Sequence, residues 1–120
     1  MIKYTIISLI ICIIISCYQN TQDNINQKSY YLENNTQISI NFDNNTIFGS
    51  IGINNYFGEY SINNNKITFS NIALTIAEDH NPKLNNIINE YINWLTTKPH
   101  QFIIKSNTLI IDDKIFIINK

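Results

Sequence analysis

The sequence predicts an α+β domain, a curved and mostly antiparallel β-sheet of about seven strands, with one amphipathic helix inserted before the last three strands. Three observations lead to this prediction. Short segments of alternating apolar and polar residues recur along the chain, separated by turn residues. One segment, between Asn81 and Lys98, carries apolar residues at helical spacing instead. All three glycines lie between Gly49 and Gly58, which indicates a strongly coiled hairpin.

The strands before the helix follow from alternation and turn chemistry. Residues 38–43 alternate strictly between apolar and polar side chains, and the Asp-Asn-Asn-Thr cluster after Phe42 predicts a turn. Residues 47–53 and 56–62 are the next extended segments, and 66–69 forms a short strand after an Asn-rich turn. Connections this short favour antiparallel pairing of neighbouring strands.

The helix has clear start and stop signals. Asn81 can serve as the N-cap, and Pro82 suits the first helical position, where its missing N–H costs nothing. Pro99 bars continuation and biases Lys98 toward extended backbone. The apolar stripe that would face the sheet consists of Leu84, Ile87, Ile88, Tyr91, Ile92 and Leu95. The closing strands are predicted at 102–104, 109–111 and 115–118.

Composition limits the function classes. A chain of 120 residues is expected to form one domain. The net charge is −1, arginine is absent, and the lysines are scattered instead of forming a basic face. Nucleic-acid binding usually needs such a face with arginine for phosphate and guanine contacts, so nucleic acid is not expected as a partner.

The first seventeen residues resemble a bacterial lipoprotein signal. The apolar run from Ile6 to Ile15 is too short to span a bilayer as a helix, but it suits the core of a secretory signal peptide. It ends in Ile14-Ile15-Ser16-Cys17, which resembles a lipobox. That resemblance implies diacylglyceryl modification of Cys17 and cleavage before it. The alternative is an uncleaved signal anchor in which Cys17 has no special role.

These features divide the chain into a signal peptide at 1–16, a lipidated Cys17 with a polar tether at 17–29, and a domain at 30–120. Cys12 would be lost with the signal, so the mature chain could form no disulfide. The chain would be a membrane-anchored lipoprotein of the cell envelope. Tyr18 is not the Asp that retains such proteins in the inner membrane of enteric bacteria, which favours the outer membrane if the cell has one.

No reaction or cofactor is indicated by the ionisable residues. The densest cluster, Glu78-Asp79-His80, precedes the helix, and His100 follows it, about 22 Å away for a helix of this length. A metal site is therefore not expected, and the acidic side chains suit a helix N-terminus. Ser, His and Asp are present without a nucleophile-elbow motif, so no catalytic residues are assigned.

Aromatic residues offer two further hypotheses. Trp94 lies beside the apolar stripe of the helix, where it is either a rim residue of the core or an anchor for a partner. Tyr56, Phe57 and Tyr60 either pack over the bare glycines or line a groove for a ligand.

The stretch FGSIGINNYFGEYSINNNKITFSNIALT resembles the META domain of the HslJ-like bacterial proteins. The hallmark of that family is G-x-x-G-C-N-x-Y-x-G-x-Y, followed by a turn, a short strand and a Thr-containing loop before the helix. The matching positions are Gly49, Gly52, Asn54, Tyr56, Gly58, Tyr60 and Thr75. The resemblance runs from about residue 38 to residue 120, and it includes the helix and the closing strands.

The family resemblance implies a fold and a compartment more than a mechanism. Members are described as heat-shock-linked or secreted, often as lipoproteins, and no catalytic activity is established for them. Many carry Cys where Ile53 stands and a second Cys near Asp79, and both are absent here. The expected function is a non-enzymatic envelope lipoprotein, a stress- or envelope-associated interaction protein that acts through an unidentified envelope protein. The alternative is a module that binds a small ligand or peptide on the concave sheet.

Overall fold

The computed structural model describes residues 25–75, 77 and 81–119. Its elements follow one another as β1 (Ser29–Leu32), β2 (Asn35–Asp43), β3 (Thr46–Ile51), β4 (Asn54–Asn63), β5 (Lys66–Leu74), α1 (Pro82–Thr97), β6 (His100–Lys105), β7 (Thr108–Ile111) and β8 (Lys114–Ile118). The mostly antiparallel sheet and the helix before the last three strands are confirmed.

The sheet is more specific than a curved sheet, because its eight strands close into a barrel. Each strand pairs antiparallel with the next, and β1 pairs with β8, where Tyr30 lies opposite Ile118. The sequence prediction of about seven strands omitted β1. Tyr30, Tyr31 and Leu32 form an unbroken apolar run without the alternation on which the other strands were recognised.

The helix begins and ends where the sequence predicts. Asn81 is the N-cap, and its side chain accepts a hydrogen bond from the N–H of Lys83 at 3.1 Å. Lys98 has extended backbone after the last helical turn. In the stripe, Ile88, Tyr91 and Leu95 are buried, and the other members are partly buried against the same core.

The helix covers one end of the barrel. In an antiparallel meander, alternate turns lie at the same end, so the β1–β2, β3–β4 and β7–β8 turns share an end. The helix contacts this end along its length: Leu84 lies over Gly52, Tyr91 meets Tyr56, and the carbonyl of Leu95 meets His100. The β5–β6 pairing is short, because β6 pairs only with Lys66 and Ile67 at the start of β5, and the helix also contacts β5.

The barrel interior is a packed aromatic and aliphatic core. Phe42 stands between Tyr30 and Tyr60 in edge-to-face contacts, with ring centroids 6.1 and 5.1 Å apart. Ile25 is fully buried in this core, and the N–H of Gln27 donates to the carbonyl of Phe42 at 2.8 Å. Residues 25–29, which the sequence pattern places in the polar tether, therefore pack against the barrel.

Candidate functional site: the glycine hairpin and its contacts with the helix

Gly49 lies where the backbone of one strand and the ring of another leave no room for a side chain. It faces Tyr56 across the β3–β4 pair. A Cβ on Gly49 would collide with the carbonyl oxygen of Ser39 and would lie 2.7 Å from Cε1 of Tyr56. The ring of Tyr56 thus occupies the space that the glycine leaves, which is the close approach that a glycine inside a strand often marks.

Tyr56 links the barrel wall to the helix. Its hydroxyl donates to the carbonyl of Ser39 at 2.6 Å and lies 3.0 Å from the hydroxyl of Tyr91. Since the proton of Tyr56 is directed to Ser39, Tyr91 is the donor in the second bond. The two rings also pack edge to face, with centroids 5.8 Å apart. Burial raises the pKa of both phenols far above the usual value of 10.0, so both stay protonated at physiological pH.

Asn54 and Thr75 hold the segment between β5 and the helix. The buried Asn54 side chain accepts from the N–H of Ala77 at 2.8 Å and donates to the carbonyl of Ala77 at 2.9 Å. The hydroxyl of Thr75 donates to Asn54 at 3.1 Å and accepts from the N–H of Asn55 at 2.9 Å. This pair therefore fixes the chain as it leaves the sheet toward α1.

The remaining motif residues serve the hairpin itself. Gly52 has φ of +60°, so it forms the β3–β4 turn, which the sequence pattern had placed two residues later. Gly58 lies at an irregular point of the β4–β5 pair, where the side chain of Ile72 covers it. Tyr60 is buried inside the barrel against Phe42.

A buried histidine, which the sequence pattern did not single out as a structural residue, lies at the other end of the helix. His100 is fully buried, with Nδ1 2.6 Å from Oδ2 of Asp112 and Nε2 3.2 Å from the carbonyl of Leu95. A carbonyl only accepts, so Nε2 carries a hydrogen. The Asp112 carboxyl is the partner of the other ring nitrogen, Nδ1. His100 thereby ties the last turn of the helix to the β7–β8 turn.

The charge of Asp112 is stabilised by this contact. Partial burial raises the pKa of its carboxyl, but hydrogen bonds from His100 and from the N–H of Gln101, with the positive charges of His100 and Lys98, outweigh that effect. The net result is a pKa below the usual value of 3.8. The alternation along β6 could have predicted that His100 is buried, since His100 falls on the same inward face as Phe102.

Trp94 packs at the edge of this cluster. Its ring lies 4.6 Å from the ring of His100 and 5.7 Å from that of Tyr91, and the ammonium of Lys114 lies 5.0 Å above it. Trp94 is only partly exposed. This is the position expected of a rim residue of the core.

Several predicted features fall outside the residues that the structure describes, namely Cys17, the Glu78-Asp79-His80 cluster and the whole signal segment. Ile53, where many relatives carry Cys, is exposed in the β3–β4 turn. Among residues 25–75, 77 and 81–119, no group of three His, Cys, Asp or Glu side chains could hold a metal ion. Within the same ranges, no helix is both long and apolar enough to cross a bilayer.

A cavity of about 290 Å³ opens between the helix and the barrel mouth. Its inner wall is apolar and includes Ile38 and Tyr91, and Glu90 and Lys114 stand at its border. It is separate from the interior space beside Tyr56 and Tyr60, which is filled by side chains.

Comparison with known proteins supports the family. The family model described as the META domain matches residues 20–115. No curated protein matches the chain. A protein from Burkholderia xenovorans, solved by NMR, is similar with a TM-score of 0.62 and 18% identity, over 81% of this chain and 85% of that one. A second NMR structure has a TM-score of 0.61 and 21% identity, over 78% and 90% of the two chains. Both similarities concern the fold, and the match of the family model shows that this chain belongs to the META domain family.

Proposed function

We propose that this protein is a non-enzymatic lipoprotein of the cell envelope, anchored in the membrane through Cys17, which presents its barrel to a partner in the envelope. The proposed membrane anchoring rests on one observation, the Ile14-Ile15-Ser16-Cys17 sequence after a short apolar run. Two or three acyl chains would hold it stably, whereas one binds only marginally. If the cell has an outer membrane, that is the proposed location.

The non-enzymatic part of the proposal rests on how the family motif is used. The hydroxyls of Tyr56 and Thr75 and the amide of Asn54 bond to the protein itself. In the described part of the chain, no buried side-chain nitrogen or oxygen lacks a hydrogen-bond partner. An active site needs polar groups directed at a substrate, and the motif is instead directed at the helix and its connection.

Fatty-acid labelling with membrane fractionation tests whether the protein is lipidated at Cys17 and anchored in the membrane. We expect the wild-type protein to incorporate labelled palmitate and to sediment with membranes, and Cys17→Ala to lose both properties. Cys12→Ala is the matched control and should behave as wild type, because Cys12 lies in the segment that is removed. A wild-type protein that takes no label would contradict the proposal.

The second candidate function is binding of a small ligand. The interior beside Tyr56 and Tyr60 is packed, so the site that favours this function is the cavity at the barrel mouth. Lys114 borders that cavity and lies over Trp94, the only tryptophan in the chain. A ligand in the cavity would change the fluorescence of Trp94, whereas an envelope partner bound elsewhere on the barrel would not.

A further inference from the structure

The outer surface of β6, β7, β8 and β1 carries an unusually apolar set of side chains for an exposed sheet. We define the aliphatic face by the outward side chains Ile103, Ile110, Ile115, Ile117 and Tyr31. Ile110 lies opposite both Ile103 and Ile115, and Ile117 lies opposite Tyr31, so the side chains form a continuous surface. Ile103 is 54% exposed and Ile115 is 40% exposed. Contiguous apolar surface of this kind marks a contact site.

The centre of the aliphatic face carries no charged side chain, and charged side chains border it only at its ends. Lys105 is an outward neighbour on β6, and no outward position within the four strands carries Asp or Glu. The exposed Glu33 follows β1, and its N–H donates to the carbonyl of Ile115 at 2.9 Å. The opposite side of the barrel differs. There the exposed pair Phe48 and Phe57 is bordered by Glu59, whose carboxylate accepts from Asn71 at 2.9 Å. Since Lys105 and Glu33 offset each other at the aliphatic face, its contact with a bilayer would rest on burial of apolar side chains.

The chain length before the barrel keeps the domain close to its anchor. Residues 17–24 span at most about 28 Å when fully extended. Ile25 is already buried in the core, and the side chain of Asn26 accepts from the N–H of Asn44 at 2.9 Å. The chain therefore reaches the barrel at the end opposite the helix and enters β1, which is part of the aliphatic face. So short a connection gives any surface on the barrel a high effective concentration at the bilayer.

We infer that the aliphatic face docks on the lipid surface that holds the Cys17 anchor, and that the barrel therefore lies on its side against the membrane. This inference rests on the proposed lipidation of Cys17. The Phe48–Phe57 side then points away from the bilayer, and the mouth of the barrel opens parallel to the bilayer, where an envelope partner could reach it.

A site-specific fluorophore tests this orientation, because the mature chain would contain no free thiol. Thr108→Cys places a label on the aliphatic face, and Ser61→Cys places the matched control on an exposed position of β4, across the barrel. The full-length lipidated protein is reconstituted into phosphatidylethanolamine–phosphatidylglycerol vesicles that contain a nitroxide lipid. We expect the lipid to quench the label at 108 several-fold more than the label at 61. Equal quenching, or stronger quenching at 61, would overturn the inference.

Two double variants sharpen the result in the Thr108→Cys background. Ile103→Ser with Ile115→Ser should reduce quenching to the level of the control position, and Phe48→Ser with Phe57→Ser should leave it unchanged. If the two pairs have the same effect, the aliphatic face is not the contact.

The intact mass of the purified protein separates the proposed lipidation of Cys17 from the docking of the aliphatic face. A mass without acyl chains overturns the lipoprotein and the docking together, whereas a lipidated mass with equal quenching overturns the docking alone.

Discussion

Gly49→Ala is expected to lower the free energy of unfolding by about 3 kcal/mol. The added methyl group would collide with the carbonyl of Ser39 and press on the ring of Tyr56. Neither can move easily, since one is strand backbone and the other is fully buried and held by two hydrogen bonds at its hydroxyl. Chemical denaturation followed by circular dichroism would measure the loss.

The sign of the stability change in Gly49→Ala distinguishes a steric collision from the intrinsic preference of a strand for alanine over glycine. Glycine inside a strand is less favourable than alanine by about 0.5–1 kcal/mol, so preference alone predicts a more stable variant. Ser61→Ala, at an exposed position of β4, serves as the control and should change stability little. A Gly49→Ala protein as stable as wild type would show that this approach of Tyr56 to β3 does not require glycine.

His100→Ala is expected to cost about 3 kcal/mol, at the lower end of what truncation of a buried aromatic ring to alanine costs. The substitution leaves Oδ2 of Asp112 and the carbonyl of Leu95 without their partner and opens a void beside Trp94. The lower end applies because the Asp112 side chain is 25% exposed and water can replace part of the interaction. Thermal or urea unfolding at neutral pH would measure it.

The pH dependence of unfolding separates the electrostatic contribution of Asp112 to stability from the contribution of the packed His100 ring. The pKa of Asp112 is lowered in the folded protein, so its stabilisation is fully present above the unfolded value of about 4 and is lost as pH falls through the folded value. Asp112→Asn should be less stable than wild type at neutral pH, and the difference should shrink in acid. A difference that stays constant between about pH 7 and about pH 2 would contradict the role assigned to this carboxylate.

Local signals in the sequence were sufficient to predict the helix. Its N-cap at Asn81, the proline at Pro82 and the stop before Pro99 are properties of adjacent residues, and the structure confirms the bounds. A special backbone feature at Gly49 was also predictable, because a glycine inside a strand usually marks a bulge, a bend or the close approach of another backbone. Its partners, the carbonyl of Ser39 and the ring of Tyr56, were not identified.

Features that depend on distant residues could not be predicted in this way. Closure of the barrel requires β1 to pair with β8, the last strand in the sequence, and no local pattern encodes that pairing. The contact between Tyr56 and Tyr91 likewise joins a strand and a helix 35 residues apart. His100 and Asp112 meet because β6 and β7 pair, so their contact depends on register as well as on the identity of the residues.

The family motif forms a structural connection between the barrel and its helix, in which Tyr56 bonds to Tyr91. A double-mutant cycle of Tyr56→Phe and Tyr91→Phe tests it most directly, because each change removes one hydroxyl and keeps the ring. We predict a coupling energy of about 1 kcal/mol, the usual net contribution of one buried hydrogen bond. If the two substitutions are additive within about 0.3 kcal/mol, the hydroxyls do not act together, and the motif does not fasten the helix to the barrel.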